Sequence, residues 1–98
     1  MLLRLVRLTV QSDAGPLFLE RFETIAPRIR QASGCLRLEL WVDNTCHTTF
    51  TTYSEWDSES SLNAYIKSDV FKENWRLVKP LFAAPAVAHS YHQYQHKS

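Results

Sequence analysis

The predicted first strand constrains the fold more than any other part of the chain, because it is apolar on both faces. One face would carry Leu2, Arg4, Val6, Leu8 and Val10, and the other would carry Leu3, Leu5, Arg7 and Thr9. A sheet with one face in water needs large apolar residues on only one side of each strand. We therefore expect both faces of the sheet that contains residues 2–10 to be covered.

An amphipathic helix is predicted after this strand. The segment from Asp13 to Pro16 would start it, since proline is tolerated in the first turn of a helix. The apolar residues that share one face of this helix are Phe18, Phe22, Ile25 and Ile29. Gly34 suits the left-handed position that commonly ends a helix.

A hairpin is predicted next. Its strands would run from Cys35 to Val42 and from His47 to Trp56, and the second is dense in threonine and aromatic residues, which favour strands. Alternation assigns four residues of the first strand to the core face: Leu36, Leu38, Leu40 and Val42. A last strand is expected from Val87 to Gln95.

Between the hairpin and the last strand, the pattern predicts a helix broken into two segments. Asp57 or Ser58 can cap the first segment, whose apolar residues are Leu62, Tyr65 and Ile66. The pattern breaks around Ser68, which is a second candidate cap. The apolar stripe of the second segment consists of Phe71, Trp75, Val78 and Phe82. Pro80 should end or kink this segment close to Lys79, because proline disrupts a helix interior.

The predicted order β-α-β-β-α-β is that of the α+β ferredoxin-like arrangement, with a four-stranded antiparallel sheet and helices on one face. We expect residues 1–98 to form a single domain. Five large side chains are predicted on the face without helices: Leu3, Leu5, Trp41, Tyr53 and Tyr91. Since so much apolar surface is rarely left in water, we expect a second copy of the chain to cover it in a homodimer.

The composition excludes several classes of function. Eleven basic and ten acidic residues are scattered along the chain, which leaves no basic surface for nucleic acid or for a membrane. Charges at Arg4 and Arg7 exclude a secretory signal or a spanning helix in the first ten residues, so we expect a cytoplasmic protein. Cys35 and Cys46 would lie at opposite ends of the hairpin, which predicts two free thiols.

Metal and nucleotide chemistry are not expected. His92 and His96 are four residues apart and His89 is nearby. On a strand, however, His89 points away from His92, and no cysteine or carboxylate joins them at ligand spacing. The chain has only two glycines and no glycine-rich loop for phosphates. We therefore predict no metal, flavin, nicotinamide or nucleotide cofactor.

The run from Glu55 to Lys72, EWDSESSLNAYIKSDVFK, resembles the antibiotic biosynthesis monooxygenase family. The segment from Ile66 to Lys72 is most similar to the haem-degrading members, and the likeness extends over nearly the whole chain. The resemblance implies two ferredoxin-like sheets that close into a dimeric α/β barrel. It also implies a pocket between each sheet and its own helices.

The haem-degrading members build their site from an asparagine, a tryptophan and the histidine that binds the iron. Carried over by the resemblance, these positions are Val6, Tyr65 and Trp75 here, so the chain departs from the pattern at all three. Without an imidazole at Trp75 there is no axial ligand for haem iron. Haem is therefore not expected as a cofactor.

The resemblance then implies that the chain is similar to the cofactor-independent members of the family, which oxidise electron-rich phenols or quinols with molecular oxygen. Such a site needs an aromatic-lined slot and a cation or hydrogen-bond donor for the phenolate. We predict Tyr65 and Arg4 as catalytic residues, and Trp75, Phe71 and Val6 as substrate-binding residues. Two alternatives stay open: a non-catalytic dimer that binds a small aromatic ligand, and a cyclase or isomerase acting on a polyketide-like substrate.

Overall fold

A computed structural model of the chain describes residues 1–95 and shows the predicted order of elements. The elements are β1 (Leu2–Thr9), α1 (Gly15–Arg30), β2 (Cys35–Val42), β3 (Thr49–Trp56), α2 (Glu59–Ile66), α3 (Asp69–Val78), a short 3₁₀ helix (Lys79–Leu81) and β4 (Val87–Tyr91). The strands form one antiparallel sheet in the order β2-β3-β1-β4. This confirms the predicted α+β ferredoxin-like fold.

The helices cover one face of the sheet. Helix α1 packs against β2 and α3, while α2 packs against β3 and α3. Arg21 of α1 also donates a hydrogen bond of 2.7 Å to the carbonyl oxygen of Leu77, which ties α1 to the end of α3. The buried side chains of the core between these layers are Leu8, Val10, Ala14, Phe18, Phe22, Ile25, Ala26, Leu38, Phe50 and Val78.

Serine side chains cap the starts of both α2 and α3, as predicted. The Oγ atom of Ser58 accepts a hydrogen bond from the backbone N–H of Ser61 at 3.1 Å, and that of Ser68 accepts one from Phe71 at 3.2 Å. The Ser68 hydroxyl also donates to the carbonyl oxygen of Tyr65 at 2.6 Å. Because Ser68 serves both the end of α2 and the start of α3, it fixes the turn between them.

Strand β2 departs from the predicted alternation at its start. Cys35 pairs with Trp56, but Arg37 already pairs with Glu55, so Leu36 is an extra residue in the strand. Such a β-bulge shifts the side chains on one side of it by one position. The assignment of Leu36 to the core face is therefore wrong, and its side chain is 58% exposed.

Other strand ends also differ from expectation. Leu38 is buried as predicted, but Val42, at the end of the edge strand β2, is exposed. Strand β3 begins at Thr49 rather than at His47, because the carboxylate of Asp43 organises a turn by accepting three hydrogen bonds from Thr45 and Cys46. Strand β4 ends at Tyr91, before the predicted limit.

The face of the sheet opposite the helices carries the predicted large side chains. Leu3 lies opposite Tyr91, and Leu5 lies opposite Tyr53, in neighbouring strands. Trp41 stacks on Tyr53, with ring centroids 5.1 Å apart. We call these five residues the outer face. Their presence on one face confirms the predicted grouping.

Two further expectations concern membranes and thiols. In the part of the chain that the structure describes, no helix has the length and apolar character needed to cross a membrane. Cys35 and Cys46 are both free thiols, as predicted. Cys35 is partly buried at the start of β2, whereas Cys46 is exposed in the turn after it.

Gly34, which joins α1 to β2, should not tolerate a side chain. Its φ of 87° lies in the left-handed region, and an added Cβ would overlap the side chain of Ser61 and approach Asp57. We expect Gly34→Ala to lower the free energy of unfolding by at least about 1–2 kcal/mol, measured by urea denaturation. Gly15→Ala is the matched control, since its added Cβ would meet only ordinary contacts. Equal stability of the two variants would contradict this prediction.

Candidate functional site

A cavity of about 250 Å³ lies between the sheet and the helices. A cavity of about 150 Å³ is large enough for benzene, so this one has room for one or two fused rings. Its lining is mostly apolar, with a few polar groups at separate positions. The lining residues that concern its chemistry are Arg4, Val6, Ser54, Trp56, Tyr65, Phe71, Asn74 and Trp75.

A continuous series of five aromatic rings runs along one side of the cavity; the first four rings line it, and the fifth, Phe82, packs on Trp75. Consecutive rings in this aromatic wall have centroids 5.4, 5.4, 5.7 and 5.4 Å apart, and the residues in order are Trp56, Tyr65, Phe71, Trp75 and Phe82. Stacked and edge-on contacts alternate along the series, which are the geometries that aromatic quadrupoles favour. Trp56 is buried and donates its indole N–H to Ser54 at 3.0 Å. The series therefore offers both ring faces and ring edges, against which an aromatic ligand can pack.

The structure brings all five predicted site residues to this one cavity. Arg4 and Val6 reach it from β1, in the sheet, as their shared strand face predicts. Tyr65, at the end of α2, and Phe71 and Trp75, in α3, reach it from the helical layer. The grouping is thus a structural fact, whereas the catalytic and binding roles of these residues stay predictions.

Asn74 is the site residue that sequence reasoning missed. It is 4% exposed, lines the cavity, and donates from Nδ2 to the hydroxyl oxygen of Tyr65 at 3.0 Å. Its other polar atom, Oδ1, is buried without a hydrogen-bond partner. The signal was present, because Asn74 lies three residues after Phe71 and four before Val78, on the apolar stripe of α3. A polar residue at such a position calls for an explanation.

Burial shifts the pKa of both predicted catalytic groups, Tyr65 and Arg4, but leaves both protonated at neutral pH. Burial raises the pKa of the Tyr65 hydroxyl, and the hydrogen bond from Asn74 opposes this shift only in part. Tyr65 therefore keeps its proton at neutral pH and can donate a hydrogen bond into the cavity.

Arg4 brings a positive charge to the same cavity. Burial lowers the pKa of its guanidinium, which nevertheless remains protonated at neutral pH. It donates a hydrogen bond of 3.2 Å to Ser90 on β4. Within residues 1–95, no carboxylate forms an ion pair with it. The charge is thus available to an anionic ligand group.

The cavity does not fit haem. The position that the resemblance assigns to the axial histidine is Trp75, whose ring packs between Phe71 and Phe82. Among the described residues, none that lines the cavity is a histidine or a cysteine, the side chains that commonly ligate haem iron. The cavity volume is also more suitable for a small aromatic molecule than for a macrocycle.

No alternative metal site appears in the described residues. No group of three or more histidine, cysteine, aspartate or glutamate side chains is close enough there to hold an ion. His89 pairs with Leu5 and so lies on the side of the sheet away from the cavity. His96 lies outside the described residues.

Comparison with known proteins identifies the family. The model of the antibiotic biosynthesis monooxygenase family matches residues 1–74, and the chain belongs to this family. One similar solved structure is described as an antibiotic biosynthesis monooxygenase; it is 18% identical, with a TM-score of 0.89 over 97% of this chain and 100% of that one. No match was found among curated proteins.

Two further solved structures show how widely the fold recurs. A conserved protein from Methanosarcina mazei is 21% identical, with a TM-score of 0.87 over 96% of this chain and 94% of that one. The protein Rv0793 from Mycobacterium tuberculosis is 14% identical, with a TM-score of 0.85 over 99% and 98%. At these identities, the likeness shows a shared fold alone.

Haemin should not form a nitrogen-ligated complex at this site. We expect titration of the purified protein with haemin to give no sharp shift of the Soret band, because the indole of Trp75 has no lone pair for iron. Haemin with free imidazole supplies the reference spectrum. Stoichiometric binding with an imidazole-like spectrum would contradict the expectation, and loss of that spectrum in His89→Ala would identify an unforeseen ligand.

Proposed function

We propose that this protein is a cofactor-independent monooxygenase that oxidises a small aromatic or quinol-like substrate with molecular oxygen. The observation that carries the proposal is an aromatic-walled cavity into which Arg4 and Tyr65 bring a positive charge and a hydrogen-bond donor. Membership of the antibiotic biosynthesis monooxygenase family supports the same reaction class. A planar phenol or quinol satisfies the cavity's shape and both of these groups.

The substrate in this proposal supplies all four electrons that reduce molecular oxygen. An ionised phenol gives one electron to oxygen, and the resulting radical pair joins to form a carbon–oxygen bond at a ring carbon that carries hydrogen. That carbon then loses its proton and the oxygen–oxygen bond breaks, which releases one oxygen atom as water and leaves the other as a quinone carbonyl. Because the ring is oxidised by four electrons, the reaction needs no external reductant.

The protein's part in this chemistry is to bind, ionise and shield the substrate. The charge of Arg4 would favour the phenolate over the phenol, and the Tyr65 hydroxyl would donate a hydrogen bond to a substrate oxygen. Trp75 and Phe71 would pack against the ring, while Val6 would contribute an apolar contact from the sheet. Exclusion of water from the cavity would strengthen both polar interactions.

We also propose that the outer face forms the interface of a homodimer. The stacked pair Trp41–Tyr53 and the apolar side chains of Leu3 and Leu5 make a flat surface without a helix over it. An interface of standard size would bury about 1,200–2,000 Å² in total, which a sheet face of four strands can provide. The two free thiols support the expected cytoplasmic location, since thiols stay reduced there.

Oxygen consumption with a panel of quinols tests the proposed reaction. We expect the wild-type protein to consume oxygen with at least one quinol, and Tyr65→Phe to lower kcat about 100-fold, the usual effect of losing one donor to a developing anion. Tyr65→Phe also leaves the amide of Asn74 unpaired, so we expect a loss of about 1–3 kcal/mol of stability. Rates should therefore be measured well below the melting temperature.

Tyr91→Phe is the matched control for this experiment. It deletes a tyrosine hydroxyl on the outer face, away from the cavity, and should leave turnover unchanged. Unchanged turnover in Tyr65→Phe would reduce Tyr65 to a packing residue. Binding of quinols without any oxygen consumption would favour the non-catalytic alternative, and a product formed without oxygen would favour the cyclase or isomerase.

Sedimentation equilibrium tests the proposed dimer. We expect the wild-type protein to be a dimer at micromolar concentration, and Leu5→Lys to be a monomer or to aggregate, because a charge would then lie in the centre of the interface. Leu19→Lys is the control, since Leu19 is an exposed leucine on helix α1. A folded wild-type monomer would contradict the proposal.

A further inference from the structure

Asn74 has a hydrogen-bonding group that the protein itself leaves unused. Among the residues that the structure describes, its Oδ1 is the one buried side-chain nitrogen or oxygen atom without a partner. The residue lines the cavity and is 4% exposed, so bulk water does not supply the missing bond. Buried polar groups in native proteins are nearly always satisfied, and each exception needs a cause.

Packing does not account for the asparagine. The position lies on the apolar stripe of α3, between Phe71 and Val78, where leucine has a similar size and avoids burying an amide. An unpaired buried carbonyl oxygen destabilises the folded state. The hydrogen bond from Asn74 to the Tyr65 hydroxyl uses only Nδ2, so the destabilisation caused by the unpaired Oδ1 remains. A ligand group that donates a hydrogen bond to Oδ1 from the adjoining cavity would remove it.

We propose that Asn74 Oδ1 accepts a hydrogen bond from a protonated hydroxyl group of the aromatic ligand, and that Asn74 thereby selects hydroxylated rings over unsubstituted ones. The inference rests on the proposed function in one respect, which is that it takes the ligand to be aromatic. It adds a specificity-determining residue that the family resemblance does not indicate.

The neighbouring tyrosine makes the site complementary to a hydroxyl. The Tyr65 oxygen accepts from Asn74 Nδ2, so its own O–H is free to donate to the ligand. A hydroxyl group can donate one hydrogen bond and accept up to two. The pair therefore offers one acceptor and one donor, which a single ligand hydroxyl can satisfy together. A ligand carbonyl or phenolate oxygen would instead face the partial negative charge of Oδ1.

Asn74 and Arg4 would then treat two ligand oxygens differently. Arg4 brings a full positive charge from the sheet, which favours an ionised oxygen. Asn74 approaches from the helical layer and requires a proton on the oxygen that it binds. In a ligand with two hydroxyl groups, one would ionise at Arg4 while the other stays protonated at Asn74. The cavity thus imposes an orientation on such a ligand.

Binding of 1-naphthol and naphthalene tests the inference, because the two differ only by a hydroxyl group. We expect the wild-type protein to bind 1-naphthol at least about tenfold more tightly than naphthalene, as one satisfied buried hydrogen bond predicts. In Asn74→Leu this preference should fall by about tenfold. Isothermal titration calorimetry under anaerobic conditions measures both dissociation constants without turnover, since the proposed reaction needs oxygen.

Thermal unfolding distinguishes a binding role from a structural one. Asn74→Leu removes the unpaired Oδ1 but also the hydrogen bond from Nδ2 to the Tyr65 hydroxyl, and because these two effects on stability oppose each other, the variant should melt close to the wild-type temperature. Asn63→Leu, an exposed asparagine on α2, is the matched control and should keep the wild-type preference. Asn74→Ala also removes Oδ1 and serves as the second variant if Asn74→Leu does not fold.

Three results would overturn the inference: a preference that survives in both Asn74 variants, a wild type without preference, or a wild type that binds neither probe. Its failure is separable from failure of the proposed function. A preference that depends on Asn74, without oxygen consumption with any quinol, would sink the proposed reaction and leave the inference standing. Oxygen consumption, together with a preference for 1-naphthol that survives in the Asn74 variants, would support the proposed reaction and overturn the inference.

Discussion

The packing of five aromatic rings between the sheet and the helices is the interaction on which the rest of the structure depends. Trp56 is fixed in β3 by its hydrogen bond to Ser54, and each later ring of the aromatic wall rests on the one before it. Rings held in these stacked and edge-on contacts cannot also fill the space toward β1 and β4. The cavity is therefore a consequence of how α2 and α3 are held. The Ser68 turn sets that geometry, because it places Tyr65 and Phe71 in edge-on contact across the break.

Most of the fold follows from local sequence signals, since they act over a few residues. Proline, glycine and the serine caps mark the ends of helices, and alternation identifies the strands. The bulge at Leu36 could not be predicted, because it is defined by the pairing of Cys35 with Trp56, more than twenty residues away. The bulge leaves no mark in the residue types of β2, yet it turns Leu36 outward. Register is a property of two strands, and one strand's pattern does not contain it.

The candidate site was predictable to the extent that it is apolar or charged. Tyr65, Phe71 and Trp75 stand out by periodicity, and Arg4 stands out as a charge on an apolar strand face. The position of Asn74 on the apolar stripe of α3 indicates that it is buried, but not which partners its amide has. What distinguishes it is the absence of a partner for Oδ1, which depends on every neighbouring element at once. The polar part of a binding site is thus harder to read from sequence than its apolar walls.

The alternation of side chains along β1 limits which mutations the protein can accept during evolution. Its even positions, such as Arg4 and Val6, line the cavity, and its odd positions, such as Leu3 and Leu5, belong to the outer face. Ligand recognition and assembly are therefore encoded on one strand as two interleaved sets. Point substitutions can alter either set while leaving the other intact. An insertion or deletion of a single codon would exchange the two sets from that point onward, unless a bulge such as the one at Leu36 absorbed it.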